Sequence, residues 1–163
     1  MRRKGTTPGQ DSTGVHLWLV LMKAFQSLFP HAEESIRRTE LGDSDFRVLE
    51  VLLHKGPLPV NVIGPKVNLT PGSISVAVDR LLARGFVSRT ESSEDRRVRV
   101  VALTPRGKSV ITPIFLAHVE TMEKVFAGLS RHELRQLEQQ LKHVGKQAES
   151  LFDRSVTKAR TGK

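Results

Sequence analysis

The 163-residue chain contains no cysteine. That excludes a disulfide framework, a thiolate metal site and any cysteine-based redox switch, and it fits a reducing cytoplasm. Long apolar runs are missing as well. The most hydrophobic stretch, VHLWLVLMKAF, is broken by His16 and Lys23 and falls short of the roughly 20 residues that a membrane span needs. No small-residue cleavage signal follows it, so neither a membrane anchor nor a secretory leader is expected. Catalytic signatures are absent in the same way. There is no Gly-rich phosphate loop, no nucleophile elbow and no paired-carboxylate arrangement, so no enzyme and no cofactor are expected. The six histidines, His16, His31, His54, His118, His132 and His143, include no pair at the short spacing of a zinc motif, and no metal site is expected. Acidic residues are the last shortage. Seventeen Asp and Glu face 26 Lys and Arg, a formal charge of +9, which points to a polyanionic partner, nucleic acid ahead of an anionic membrane surface.

What remains, with 38% hydrophobic residues, is enough for one domain with its own core, and no internal repeat interrupts it. Residues 1–12 and 154–163 read as flexible ends. Leu17, Trp18, Leu21, Met22, Phe25, Leu28 and Phe29 recur at helical spacing. Pro30 is expected to end or kink that helix, with a short one resuming over 31–39. LGDSDFRVLEVLLHKG carries Asp43 or Ser44 as a cap, an apolar face of Phe46, Leu49, Leu52 and Leu53, and Gly56 as a stop. PLPVNVIGPKV is a poorer third helix because of Gly64 and Pro65. From Thr70 the pattern is clear. Thr70 caps, Pro71 suits the first helical position, Ile74, Ala77, Val78, Leu81 and Leu82 form one stripe, and Gly85 closes it.

After Gly85 the period shifts from 3.6 to 2. FVSRTE and RVRVVAL read as two strands joined by the polar turn SSEDR, with Val98, Val100 and Ala102 on one face and Arg97, Arg99 and Val101 on the other. Thr104 and Pro105 open a long helix that Pro113 should bend. Ser130 and Glu133 form a capping box for the last one, where Leu134, Leu137, Leu141, Val144, Ala148 and Leu151 make a heptad seam. Such a seam serves either an intersubunit contact or the chain's own bundle.

The fold class expected is mainly α with a small β-hairpin: a winged helix-turn-helix plus a helical dimerisation domain. A helix fits the major groove of B-DNA, and a hairpin beside it places a cationic tip on the backbone or in the minor groove. On the helix from Pro71 the residues opposite the apolar stripe are Gly72, Ser73, Ser75, Val76, Asp79 and Arg80. The serines suit base edges or phosphates, Val76 a thymine methyl, Arg80 a phosphate or guanine, and the free N–H groups near Thr70 and Pro71 a phosphate. Taken alone, the helix reads equally well as an amphipathic surface helix. The hairpin adds Arg96, Arg97 and Arg99, and arginine suits the narrow minor groove. Asp95 is expected to pair with a neighbouring arginine and fix the turn.

Residues 69–108, LTPGSISVAVDRLLARGFVSRTESSEDRRVRVVALTPRGK, resemble the MarR family of dimeric transcription regulators. The family's hallmark is an Asp-x-Arg wing followed by Leu-Thr-x-x-Gly at the start of the next helix. Here these are Asp95-Arg96-Arg97 and Leu103-Thr104-Pro105-Arg106-Gly107. The resemblance extends over about residues 15–152 by helix order. It implies that the first, fifth and sixth helices build a homodimer, that the helix from Pro71 to Arg84 enters the major groove, and that Arg97 meets the minor groove. The segment VNVIGPKV departs from the family's leucine- and alanine-rich pattern. The organisation expected is dimerisation helices over 13–39, a DNA-binding domain over 40–104, and further dimerisation helices over 105–153.

The function expected is a ligand-responsive repressor that binds double-stranded DNA at a pseudo-palindromic operator. A small anionic or aromatic effector would sit between the first, second and fifth helices, near Trp18, Met22, Phe25, His118 and Met122. All five equally suit core or dimer contacts. The rival readings are a helical dimer that binds an acidic protein partner and a nonspecific DNA-coating protein.

Overall fold

The computed structural model describes residues 13–92, 95 and 97–161. Their order is α1 (Thr13–Arg37), α2 (Asp43–Lys55), β1 (Leu58–Pro59), α3 (Val60–Lys66), α4 (Pro71–Ala83), β2 (Val87–Glu91), β3 (Arg99–Leu103), α5 (Pro105–Phe126) and α6 (Arg131–Thr161). The chain divides into two compact units, one ending at Met122 and the other beginning at Glu123. No helix among the described residues is long and apolar enough to cross a membrane.

The core of the first unit is built from Phe46, Val48, Leu49 and Leu52 of α2, Ile63 of α3, and Ile74, Ala77, Val78 and Leu81 of α4. Phe86, just before β2, and Val87 and Val101 of the sheet close it. Ile36 of α1 and Ile111 of α5 belong to the same cluster. The sequence boundaries at 39/40 and 104/105 are therefore not boundaries of packing, because each flanking helix buries a residue beneath the winged domain.

Both prolines expected to interrupt helices lie within continuous ones, Pro30 in α1 and Pro113 in α5. A helical proline removes one N–H, which orphans the carbonyl four residues earlier. Here those residues are Gln26 and Ser109, both on exposed positions like the prolines themselves, where solvent can satisfy a freed carbonyl at little cost. α6 likewise runs on to Thr161, past the 153 boundary expected for a tail, since no proline or glycine follows Gly145 before Thr161. Its capping box forms in both directions: Ser130 N–H donates to Glu133 at 2.7 Å and Glu133 N–H to Ser130 Oγ at 3.3 Å.

At α2 the cap shifts by one residue. Gly42 occupies it, because Asp43 pairs with Arg47 at 2.9 Å and the Ser44 hydroxyl accepts from Arg80 at 2.9 Å. At α3 the helix forms despite Gly64-Pro65. Gly64 is buried, and a Cβ there would stand 3.3 Å from the Leu69 carbonyl. Leu69 N–H also donates to the Gly64 carbonyl at 2.9 Å, so the glycine lets the turn into α4 close. Asn68, at φ 53°, supplies the left-handed step of that turn.

The hairpin is part of a larger sheet, ordered β1-β3-β2 and antiparallel throughout. β1 pairs Leu58 with Val101 and Pro59 with Val100. Two residues are too few to show an alternation, so the strand was absent from the sequence reading. The alternation of β3 is real, but the member it buries completely is Val101, on the face that also carries Arg99. Val100 and Ala102 are half-buried.

The wing closes onto α5 at one junction. Thr104 N–H donates to the Phe86 carbonyl at 3.0 Å, its hydroxyl donates to the Gly85 carbonyl at 2.8 Å, and its Oγ1 accepts from Gly107 N–H at 2.9 Å. A Cβ on Gly107 would lie 1.8 Å from the Phe86 carbonyl oxygen. Gly107→Ala should therefore cost about 3 kcal/mol, at the upper end of overpacking penalties, read as a lower Tm in thermal denaturation. An unchanged Tm would mean that α5 and Phe86 separate freely.

Candidate nucleic-acid interface

Helix α4 presents Gly72, Ser73, Ser75, Val76, Asp79, Arg80 and Ala83 to solvent, opposite its buried stripe. Thr70 caps it. Ser73 N–H donates to Thr70 Oγ1 at 3.2 Å, and the two hydroxyls lie 2.8 Å apart. Ser75 Oγ donates to the Pro71 carbonyl at 3.0 Å. Val76 is more than half exposed, with no apolar partner expected for such a position in a monomer's own core. The outward face is thus small near the N-terminus, where the free backbone N–H groups lie, and charged toward the C-terminus.

The two charged residues of this face anchor it on opposite flanks. Asp79 accepts from Arg89 of β2 at 3.1 Å, tying α4 to the wing. Arg80, read from the sequence as a phosphate or guanine contact, is bound to Asp45 at 2.6 Å and to Ser44 at 2.9 Å, tying α4 to α2. The hydrogen bond to Asp45 raises the Arg80 pKa above its ordinary value.

In the wing, Asp95 accepts from the backbone N–H of Arg97 at 2.9 Å and from its Nε and Nη2, each at 3.2 Å. The Asp95 carbonyl accepts from Val98 N–H at 2.9 Å. One aspartate therefore shapes the turn with both its side chain and its backbone, leaving the Arg97 side chain 91% exposed. Arg99 pairs across the ladder with Glu91, its register partner. Arg96 lies outside the described residues.

Arg89, Arg97 and Arg99 converge with Ser75, Asn61 and Pro71 on one groove of about 590 Å³ between α3, the start of α4 and the wing. Each of the three arginines has a carboxylate partner, Asp79, Asp95 and Glu91. These exposed pairs are weak, so a phosphate can replace the carboxylates at little cost. Sequence reasoning missed Arg89: strand periodicity places it on the same face as the buried Val87, but of the five β2 residues only Val87 is buried, and Arg89 is exposed.

The five effector candidates differ in their surroundings. Trp18 and Phe25 are exposed at 59% and 55%, while His118 is hydrogen-bonded through Nδ1 to Ser35 Oγ at 2.6 Å and packs edge-on against Phe46. Met22 and Met122 are half-buried. A groove does open between α1 and α5, but His31, Ser35, Arg38, Pro113, Ile114 and Glu120 are among its lining, and none of the five is.

The hydrogen bond from the Arg97 side chain, and then that from its backbone N–H, holds the Asp95 carboxyl below its ordinary value. Because the folded value lies below the unfolded one, the contact contributes fully at neutral pH and is lost as pH falls through the depressed value. A carboxyl-detected NMR titration should find Asp95 titrating below the usual aspartate range, and Arg97→Ala should return it toward that range. A normal value in the wild-type chain would remove the contact from the solution structure.

The sequence profile of the MarR family matches residues 41–98. The chain is 33% identical over 138 residues to the HTH-type transcriptional regulator MhqR of Bacillus subtilis, covering 85% of this chain and 95% of that one. Its fold is similar to that of a MarR-family transcriptional regulator from Silicibacter pomeroyi, at TM-score 0.67 and 23% identity over 76% of this chain and 84% of the other. It is also similar to that of Bordetella bronchiseptica BpsR, whose DNA binding is regulated by 6-hydroxynicotinic acid, at TM-score 0.68 and 19% identity over 86% and 97% of the two chains.

Proposed function

The chain belongs to the MarR family of DNA-binding transcription regulators, and from that premise we propose that it is a homodimeric, ligand-responsive repressor acting in the cytoplasm on a pseudo-palindromic operator. The observation that carries the reading is the groove in which the start of α4 and three wing arginines face the same space. In this reading α4 enters the major groove, with Thr70, Pro71, Gly72, Ser73, Ser75, Val76 and Arg80 toward the DNA, while Arg96, Arg97 and Arg99 reach the backbone or minor groove. Asp95 gives up Arg97 to phosphate and keeps the turn through its bond to the backbone N–H.

Two-fold symmetry then sets half-sites about one helical turn apart. Binding of the wild-type chain to its own upstream region, against scrambled duplex at matched salt, should show clear preference. Equal binding to both would favour a nonspecific DNA-coating protein, and no binding to either an acidic protein partner. Arg97→Ala should weaken binding and lower the salt slope by about one unit. Unchanged affinity would remove Arg97 from the interface. The α1–α5 groove, with Arg38 and His31 beside Pro113 and Ile114, suits a small aromatic anion. In the same assay an aromatic carboxylate such as 6-hydroxynicotinic acid should release the DNA, and persistent binding across a panel of such acids would count against an effector of this class.

The dimer reading draws on two apolar stripes that are uncovered in the single chain, each on its own unit. On α1 they are Leu17, Trp18, Leu21 and Phe25, and on α6 Leu137, Leu141, Val144 and Leu151. A monomer rarely leaves such stripes in water. Light scattering should give twice the chain mass, and Leu141→Glu should shift it toward the monomer. A wild-type monomer at micromolar concentration would overturn the dimer.

A further inference from the structure

Asp45 is the one charged residue buried among the described residues, at 4% exposure. It stands in the first turn of α2, yet it does not cap that helix. Its Oδ1 accepts from Arg80 Nη2 at 2.6 Å and Nε at 3.2 Å, and Oδ2 from Nε at 3.4 Å. Ser44 Oγ takes a further bond from Nη2. One edge of the planar guanidinium is thereby fixed to α2. Nη1 has no hydrogen-bond partner among the described residues, and the side chain is 48% exposed. Arg80 follows Val76 by one turn and Ser73 by two on the outward stripe of α4, so the free edge belongs to the face presented to solvent.

Stability alone does not account for this arrangement. A buried carboxylate is costly to desolvate, and an apolar pair of similar volume commonly does as well or better. A fixed arginine has another use. A flexible side chain loses rotamer freedom when it binds, whereas one already held by neighbours loses little. Recognition groups work best when a supporting layer of hydrogen bonds holds them.

We propose that Asp45, assisted by Ser44, is a positioning residue for DNA recognition, holding Arg80 so that Nη1 meets an acceptor on a guanine edge in the major groove. Asp45 touches no DNA itself. The arginine supplies the contact, and the aspartate decides where it is made. The proposal rests on α4 being the recognition helix.

The test begins with wild-type protein selecting sites from a random-sequence duplex library. Failure to select any site would sink the DNA-binding reading, independently of Asp45. With a selected site available, affinity for it and for scrambled duplex is measured at matched salt for wild type, Asp45→Asn, Arg80→Ala and the double variant, each checked for folding by circular dichroism. Asp45→Asn keeps the arginine charge, so its salt slope should stay the same while the specific-to-scrambled ratio falls about tenfold, the order of one base contact. In the Arg80→Ala background Asp45→Asn should lower the ratio no further. A folded Asp45→Asn with a lower Tm but an unchanged ratio would overturn the proposal. So would equal losses on both duplexes, which would place Arg80 on phosphate. Should Asp45→Asn fail to fold, Ser44→Ala decides alone: a reduced ratio supports the proposal and an unchanged one overturns it.

Discussion

The winged domain depends on the close approach of Gly107 to the Phe86 carbonyl. At that point the first wing strand begins, the last strand ends and α5 starts, all within reach of one threonine. Thr104 satisfies three backbone groups there, donating to the Gly85 and Phe86 carbonyls and accepting from Gly107 N–H. A side chain at 107 would occupy the space of the Phe86 oxygen. Arg84 and Arg106 then pack over the Phe86 ring, with centroid distances of 4.5 and 5.4 Å, so two cations cover the ring at the wing's base. The position of the wing relative to α5 is set by a hydrogen-bonded turn with no slack in it.

From that fixed base the domain manages its arginines in two ways. Those of the wing, Arg89, Arg97 and Arg99, sit in exposed pairs that water and salt weaken, leaving them exchangeable for phosphate. Arg80 is held by a buried carboxylate instead, where the low dielectric strengthens the bond. Exchangeable cations suit a sequence-independent backbone contact. A fixed one suits a position where geometry matters.

The residues themselves explain which parts of this were legible. α4 was readable because its cap, first proline, apolar stripe and closing glycine agree. α1 was read as ended or kinked at Pro30 and α5 as bent at Pro113, because a proline speaks only of its own lost N–H and not of the packing that lets a helix run on. β1 was invisible because two residues carry no period. The Asp95 turn was readable because its donors lie two residues away. The partner of Arg80 was not, since Asp45 is 35 residues distant and looks like a helix-start acid in the sequence. The effector candidates shared a helical spacing, but spacing alone does not say which residues of α1 and α5 line the space between them.

The sequence by itself determined the succession from α2 through α6 apart from β1, the basic wing turn, the capped starts of α4 and α6, and the family, because each is carried by patterns a few residues long. Only the tertiary structure decided that Val101 is the buried residue of β3, that α1 and α5 share the winged domain's core, and that Arg80 belongs to Asp45. These are choices among faces and partners that local pattern leaves equal. The difference between them comes from apolar area removed from water and from a buried charge finding its counter-ion, and both exist only once distant segments have met.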